Sequence, residues 1–171
     1  MKPDEVMFAE RFRKDALSIL NKYLPRIIHC LELLSEEEIW WRPNTVSNSA
    51  GNIVLHLCGN IRQWILSGLG GAKDVRQRDM EFAQRGPIPR QVLIARLKDT
   101  VEEACQIIDT TPMSTLLREF DIQGYHVTGA TAVTCVYEHF AYHAGQIIYL
   151  TKSKRAEDLH ITRVPDYKPS V

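Results

Sequence analysis

The chain has 171 residues, an ordinary length for one domain that buries its own hydrophobic core. Apolar residues make up 44% of it and charged residues 25%, a balance that excludes a mostly disordered chain. The 21 basic and 21 acidic side chains cancel, which argues against nucleic acid as a partner because phosphate binding normally needs a basic excess.

The sequence contains no pattern typical of a secretion signal or a membrane span. Charged residues interrupt the first 20 positions, and the longest uncharged stretches, 43–61 and 122–137, are rich in polar residues. We therefore expect a cytoplasmic protein that does not act at a membrane. In that compartment the four cysteines, which form no Cys-x-x-Cys pair, are expected to be reduced core thiols.

The first two helices are predicted from apolar residues that recur every three or four positions. The first covers residues 3–34, with a kink or a break at Pro25, because proline lacks the backbone N–H that a helix interior needs. The second begins near Ser47 or Ser49, either of which can cap it, and ends at a run of glycines. A long charged connection, 72–89, follows, and a connection of this length is usually functional or partly helical.

The third helix is predicted at about 89–110 and the fourth at about 130–152, with a glycine-containing connector at 121–129. Four long amphipathic segments without a strong strand pattern predict an all-α four-helix bundle with a long connection between helices 2 and 3. We assign the bundle to residues 1–153. The polar remainder, 154–171, is expected to form a tail that packs on the bundle or trails from it.

Three histidines interrupt the apolar faces that point into this bundle. His139 and His143 are four positions apart, so their rings lie on one face of the fourth helix, one turn apart. His56 occupies the inward face of the second helix. Together they form a candidate metal site with an open coordination position, as catalytic sites have. The alternative is a set of core histidines with ordinary hydrogen-bond partners.

Two other metal motifs do not fit. A zincin site needs glutamate after its first histidine, and Phe140 stands there. A di-iron bundle needs two Glu-x-x-His motifs, and only residues 157–160 match. The remaining histidines, His29, His126 and His160, are expected to be structural or surface residues, and His126 is also a candidate for the mouth of the site.

Three segments carry a family resemblance. Residues 47–60, SNSAGNIVLHLCGN, and residues 138–147, EHFAYHAGQI, resemble the second-helix and fourth-helix motifs of the DinB/YfiT-like superfamily. Residues 78–82, RDMEF, are similar to a segment of one uncharacterised branch of that superfamily. The matches follow the predicted helix order and span nearly the whole chain.

The resemblance implies an up-down-down-up bundle in which His56, His139 and His143 hold one divalent metal ion. The implied metal is nickel or zinc, with iron or manganese as alternatives, and the implied assembly is a homodimer. Characterised relatives include thiol-dependent transferases and isomerases that use bacillithiol or mycothiol, and some relatives are proposed hydrolases. A small-molecule thiol and an electrophilic substrate are therefore expected as partners.

The expected chemistry is the activation of water or of a substrate thiolate, which makes the protein a metal-dependent transferase or hydrolase. Asn60, Gln146 and Tyr142 lie near the expected ligands and are candidates for orienting a ligand or the substrate, unless they are ordinary helix-face residues. Asp79 and Glu81 on the long connection are expected either to close over the site or to pair with neighbouring arginines. The competing hypothesis is a non-catalytic metal-binding or structural dimer.

Overall fold

Helices and one small hairpin make up the computed structural model, which describes residues 3–168. Within that range the helices are α1 (Pro3–Leu33), α2 (Ala50–Ile61), α3 (Arg78–Ala83), α4 (Arg90–Thr110), α5 (Met113–Leu117) and α6 (Gly129–Arg155). The hairpin consists of β1 (Glu119–Ile122) and β2 (Tyr125–Thr128). A π-helix over Arg62–Leu69 extends α2, and 3₁₀ turns cover Glu38–Trp40 and Ile161–Arg163. The predicted all-α fold is confirmed.

The four long helices form a bundle in which α1 and α2 each pack against both α4 and α6. Arg13 bonds to the carbonyl of Thr111, and Arg90 bonds to the carbonyl of Leu34. These contacts join opposite ends of α1 and α4, so the two helices are antiparallel. By contrast α2 and α4 run in the same direction, because Arg62 pairs with Glu103 and the later Gly70 lies against the later Ile107. The long connection between the two helices allows this arrangement, which an up-down-down-up bundle requires.

The start of α2 fixes the connection that follows the helix. Ser49, not Ser47, is the N-cap, and it forms a reciprocal capping box with Asn52. The Asn52 amide also donates to the carbonyls of Glu81 and Gln84, at 2.8 and 2.9 Å. These bonds hold α3 against α2. The prediction that the 72–89 connection is partly helical is therefore confirmed.

Helix α1 continues through Pro25, so the helix is not broken there. A proline at this position leaves the carbonyl of Asn21, four residues earlier, without its helical donor. The backbone N–H of Tyr167 bonds to that carbonyl at 2.8 Å, and the Tyr167 hydroxyl donates to Glu102 on α4. The acceptor that proline leaves free therefore holds the C-terminal tail in place.

The tail packs on the bundle at a second point, where Leu159 is buried and its carbonyl lies 3.1 Å from the ring of His29. Residues 1–2 and 169–171, the outer ends of the predicted bundle and tail, lie outside the described residues. Among residues 3–168, no helix combines the length and the apolar character needed to cross a membrane.

The glycine-containing connector predicted at 121–129 contains most of a β-hairpin, which the sequence did not predict. Strands β1 and β2 pair antiparallel with Ile122 opposite Tyr125, which leaves a two-residue turn, Gln123–Gly124. Both turn residues have positive φ, 55° and 80°, as the tight turns that match strand twist need. Glutamine is an unusual residue for that conformation, and each strand has only four residues, so the sequence carries little hairpin signal.

Candidate metal site

The bundle brings three histidines together across the contact between α2 and α6. His56 comes from α2, and His139 and His143 come from α6. One nitrogen from each ring lies within 4.8 Å of the other two, and the Nε2 atoms of His56 and His139 are 2.9 Å apart. The geometry therefore matches the three-histidine cluster predicted from helical spacing, an arrangement that can hold a metal ion.

The three rings of the cluster differ in their exposure to solvent. His56 and His143 are 5% and 8% exposed, whereas His139 is only half-buried. Burial and, to a smaller extent, the neighbouring rings of His143 and His56 together lower the pKa of His139 to about 4. Burial also lowers the pKa of His143, partly offset by a hydrogen bond to Gln146. Both rings are therefore neutral at pH 7 and keep a lone pair for a metal ion.

Hydrogen bonds select the nitrogen that two of the rings present. His56 Nδ1 lies 2.9 Å from Glu81 Oε2 and 3.2 Å from Arg76 Nη2. The ionised carboxylate only accepts and is the nearer partner, so we assign the proton to Nδ1. His143 Nδ1 lies 2.8 Å from Gln146 Oε1 and donates in the same way. In both residues Nε2 is left unprotonated, which is the tautomer that a metal ligand needs.

Glu81 reaches His56 from α3, and Arg76 holds it there. The Arg76 Nε and Nη2 atoms donate to the two Glu81 oxygens at 2.8 and 3.0 Å. Arg76 Nη1 donates to Gln63, 2.9 Å away. Burial raises the pKa of Glu81, but the bonds from His56 and Arg76 outweigh burial and hold this pKa below its usual range. Glu81 is therefore an ionised carboxylate that is only 8% exposed.

Gly59 makes room for this carboxylate. A Cβ atom built on Gly59 would overlap Glu81 Oε1, so no larger residue fits while Glu81 contacts His56. One of the two expectations for Glu81, an ion pair with a neighbouring arginine, is confirmed by its contact with Arg76. The other, closure over the site, stays a prediction. Asp79, by contrast, is exposed. The sequence gives no indication of the role of Gln63, which binds Arg76. It does offer a signal for the close approach of Glu81 to α2, because Gly59 is a glycine inside a helix.

The three residues predicted near the ligands have different surroundings. Gln146 contacts His143 directly, as described above. Tyr142 is 63% exposed and meets the His143 ring edge-on, with 5.0 Å between centroids. The Oδ1 atom of Asn60, one helical turn after His56, is buried and has no hydrogen-bond partner within residues 3–168. Their roles towards a ligand or substrate remain predictions.

The other histidines are engaged elsewhere. Both ring nitrogens of His126 contact carboxylates on the hairpin, Asp121 at 2.9 Å and Glu119 at 3.0 Å. His29 holds the tail, and His160 is exposed beside Asp158. The alternative placement of His126 at the mouth of the site therefore has no support in these contacts.

The four cysteines are free thiols, two of them buried and two half-buried. Burial raises the pKa of Cys30 to about 11 and that of Cys58 to about 12. The pKa values of Cys105 and Cys135 are also raised, again mainly by burial. None of these thiols is poised to act as a thiolate at neutral pH.

Comparisons with known proteins agree with this architecture. A family model described as "Protein of unknown function (DUF1572)" matches residues 7–168, and the chain belongs to that family. No curated protein matches the chain. Among solved structures, a conserved protein from Enterococcus faecalis is 15% identical, with a TM-score of 0.73, and the match covers 84% of this chain and 97% of the other.

Two DinB-like proteins are also similar in structure. YjoA of Bacillus subtilis is 17% identical, with a TM-score of 0.65 over 91% of this chain and 99% of its own. A protein from Bacillus cereus is 15% identical, with a TM-score of 0.61 over 85% of this chain and 91% of its own. At such identities the likeness shows the fold alone. The fold is therefore DinB-like, as the resemblance of the two helix motifs implied.

Proposed function

We propose that the protein binds one divalent metal ion through Nε2 of His56, His139 and His143 and uses it as a metal-dependent transferase or hydrolase. The observation that carries this proposal is the convergence of three ring nitrogens within 4.8 Å. Two of the rings also have Nδ1 bonded to an oxygen acceptor, so they present Nε2 as a free ligand atom.

The donor set favours particular metals. Imidazole nitrogens suit zinc, nickel and iron, whereas manganese prefers sites with more oxygen ligands. We therefore propose zinc or nickel as the resident ion, with iron and then manganese as further candidates. Three neutral ligands do not compensate the positive charge of such an ion. The nearest buried negative charge is the Glu81 carboxylate, which is hydrogen-bonded to Nδ1 of His56.

When bound, a divalent ion supplies Lewis acidity that lowers the pKa of a water or thiol ligand. The protein's own cysteines are held as neutral thiols, so the nucleophile comes from solvent or from a small-molecule thiol. The half-buried His139 leaves an approach from solvent, and Asn60 Oδ1, one helical turn after His56, is a buried acceptor without a partner among residues 3–168. These features support a thiol-dependent transferase or a hydrolase.

A surface cavity of about 540 Å³ is lined by two neighbours of His143, although by none of the three histidines, and it is a candidate substrate groove. Gln146 and Tyr142, which both contact His143, form part of its wall. Val46 and Tyr149 add an exposed apolar surface, 90% and 72% accessible. The same surface supports the alternative proposal, a homodimer that binds metal without turnover, because apolar patches of this kind also mark protein contacts.

Metal-loaded protein tested with and without thiols separates these proposals. Cobalt(II) is loaded into metal-free protein as a spectroscopic probe, and bacillithiol, mycothiol and glutathione are each added, alone and with electrophilic substrates. The enzyme proposal predicts a thiol-dependent change in the cobalt spectrum and turnover that the His139→Ala variant lacks. An unchanged spectrum, no turnover and no hydrolysis of ester or amide substrates, together with dimers in sedimentation, would favour the non-catalytic alternative.

A further inference from the structure

We propose that Glu81 is a positioning residue for the metal ligand His56, and that it makes metal binding and the packing of α3 on α2 depend on each other. This inference rests on the proposed metal site. It assigns a role to the long connection between α2 and α4, which otherwise contributes no metal ligand.

The contact between Glu81 and His56 joins two different helices. Glu81 is 25 residues from His56 in the chain and reaches it from a different helix, with 2.9 Å between Oε2 and Nδ1. The carboxylate and the imidazole side chains are 9% and 6% exposed, so water does not compete for the bond. A hydrogen bond to a charged acceptor in such a site orients the ring and raises the basicity of the other nitrogen.

Arg76 supports the Glu81 carboxylate that contacts His56. The Arg76 side chain is 4% exposed and uses Nε and Nη2 to hold both carboxylate oxygens. Its remaining Nη1 atom bonds to Gln63, on the π-helix that extends α2. The carboxylate is therefore fixed from both sides, by the ligand in front and by a two-point arginine contact behind.

Gly59 of α2 leaves space for the Glu81 carboxylate. Glycine weakens a helix interior relative to alanine, yet Gly59 lies near the middle of α2 and its continuation. A side chain there would overlap Glu81 Oε1. Gly145, on the helix that carries His139 and His143, has no atom within 4 Å of its Cβ position. Gly59 is thus tied to the Glu81 contact in a way that Gly145 is not.

Hydrogen bonds that do not involve the Glu81 carboxylate also hold α3 in place. Asn52 bonds to the backbone of Glu81 and Gln84, and Arg42 bonds to the carbonyl of Phe82 at 3.2 Å. The Phe82 ring also packs 4.7 Å from the His56 ring. Changing the Glu81 carboxylate therefore leaves the fold supported, and its effect on metal binding can be measured separately.

The consequence is a reciprocal coupling. A cation at His56 Nε2 polarises the ring and strengthens the bond from Nδ1 to Glu81. Linkage is reciprocal. If metal binding strengthens the hydrogen bond between His56 and Glu81, then formation of that hydrogen bond strengthens metal binding by the same free energy. The metal-loaded protein should hold α3 more tightly than the metal-free protein.

The test compares zinc affinity, measured by chelator competition, in two pairs of variants. Glu81→Gln keeps the shape and removes the charge, and Asp79→Asn removes a charge from an exposed position on the same helix. Gly59→Ala displaces the carboxylate without changing it, and Gly145→Ala makes the same substitution where space is open. We expect Glu81→Gln and Gly59→Ala to weaken zinc binding tenfold to a hundredfold, and both controls to stay within twofold of the parent.

Hydrogen exchange of the α3 amides supplies a readout that a merely structural ion pair would not move. Zinc should slow this exchange in the parent and in Asp79→Asn, and it should have little effect in Glu81→Gln. If the parent binds zinc and both Glu81→Gln and Gly59→Ala bind it equally well, the role of Glu81 is overturned and the metal site stands. If the parent binds neither zinc nor nickel, the proposed function itself fails, and this inference fails with it.

Discussion

Two histidine clusters in this protein have opposite electrostatics. In the bundle, burial and neighbouring rings lower the pKa of His139 to about 4. On the hairpin, hydrogen bonds that His126 donates to the carboxylates of Asp121 and Glu119 raise the pKa of its ring, which is 62% exposed. The first cluster disfavours a proton and offers free lone pairs, whereas the second favours a proton and uses both nitrogens as donors.

The difference shows why the number of histidines is a poor guide to a metal site. Acidic neighbours that contact the ring directly, as at His126, use the nitrogens that a metal would need. At His56 the acidic neighbour contacts only Nδ1, and Nε2 faces the ring of His139, the other side of the proposed site. The bundle cluster thus disfavours protons and suits a metal cation, whereas the hairpin cluster favours the protonated ring of His126.

The largest expected effect comes from removing a proposed ligand. Substituting His56, His139 or His143 with alanine should weaken zinc and nickel binding by more than the tenfold to hundredfold loss typical of groups behind the ligands. His126→Ala should bind like the parent, since its ring takes no part. Chelator competition on metal-free protein measures both. Equal losses in His126→Ala and in the three bundle variants would break the distinction between the clusters.

The next effect is thermal. An ion that binds only the folded state at a hundred times its dissociation constant stabilises that state by about 2.7 kcal/mol. For a domain of this size that corresponds to a rise in Tm of about 5–10 °C. Differential scanning fluorimetry with zinc and with a chelator should show this shift in the parent and in His126→Ala, and no shift in His139→Ala. A zinc shift that survives in His139→Ala would place the ion elsewhere.

How far the sequence alone reaches can be seen from particular residues. Helical spacing places His139 and His143 on one face, and the apolar stripe of α2 turns His56 towards them. The Glu81 contact spans 25 residues and two helices, so no local period encodes it. The hairpin could not be predicted for another reason. Gln123 in its turn adopts a positive φ, a conformation that glutamine rarely adopts.

The acid dependence of the metal-free protein should sharpen the comparison. Because the pKa of His139 falls from 6.5 to about 4 on folding, the unfolded chain binds more protons than the folded one between these values. The free energy of unfolding should therefore decrease as the pH falls from about 6.5 to about 4. His139→Gln should flatten this decrease in urea titrations. An equally steep decrease in the variant would show that other groups cause it.

The smallest effect should come from the hairpin and have the opposite sign. The raised pKa of His126 gives stability that is complete below 6.5 and is lost as the pH rises through the higher folded value. His126→Gln should remove that small loss, and salt should weaken it in the parent because the cluster is exposed. Unfolding titrations between pH 6 and 8.5, at low and high salt, measure it. A loss that salt does not change would contradict a surface origin.

The most direct test of the central claim is elemental analysis of protein purified without a metal-affinity tag, before and after incubation with zinc and nickel. The account predicts about one equivalent of a divalent metal in the parent and in His126→Ala, and far less than one in His56→Ala and His139→Ala. A parent that holds no metal after incubation with either ion would contradict the account, and the bundle would then contain three core histidines with no ligand role.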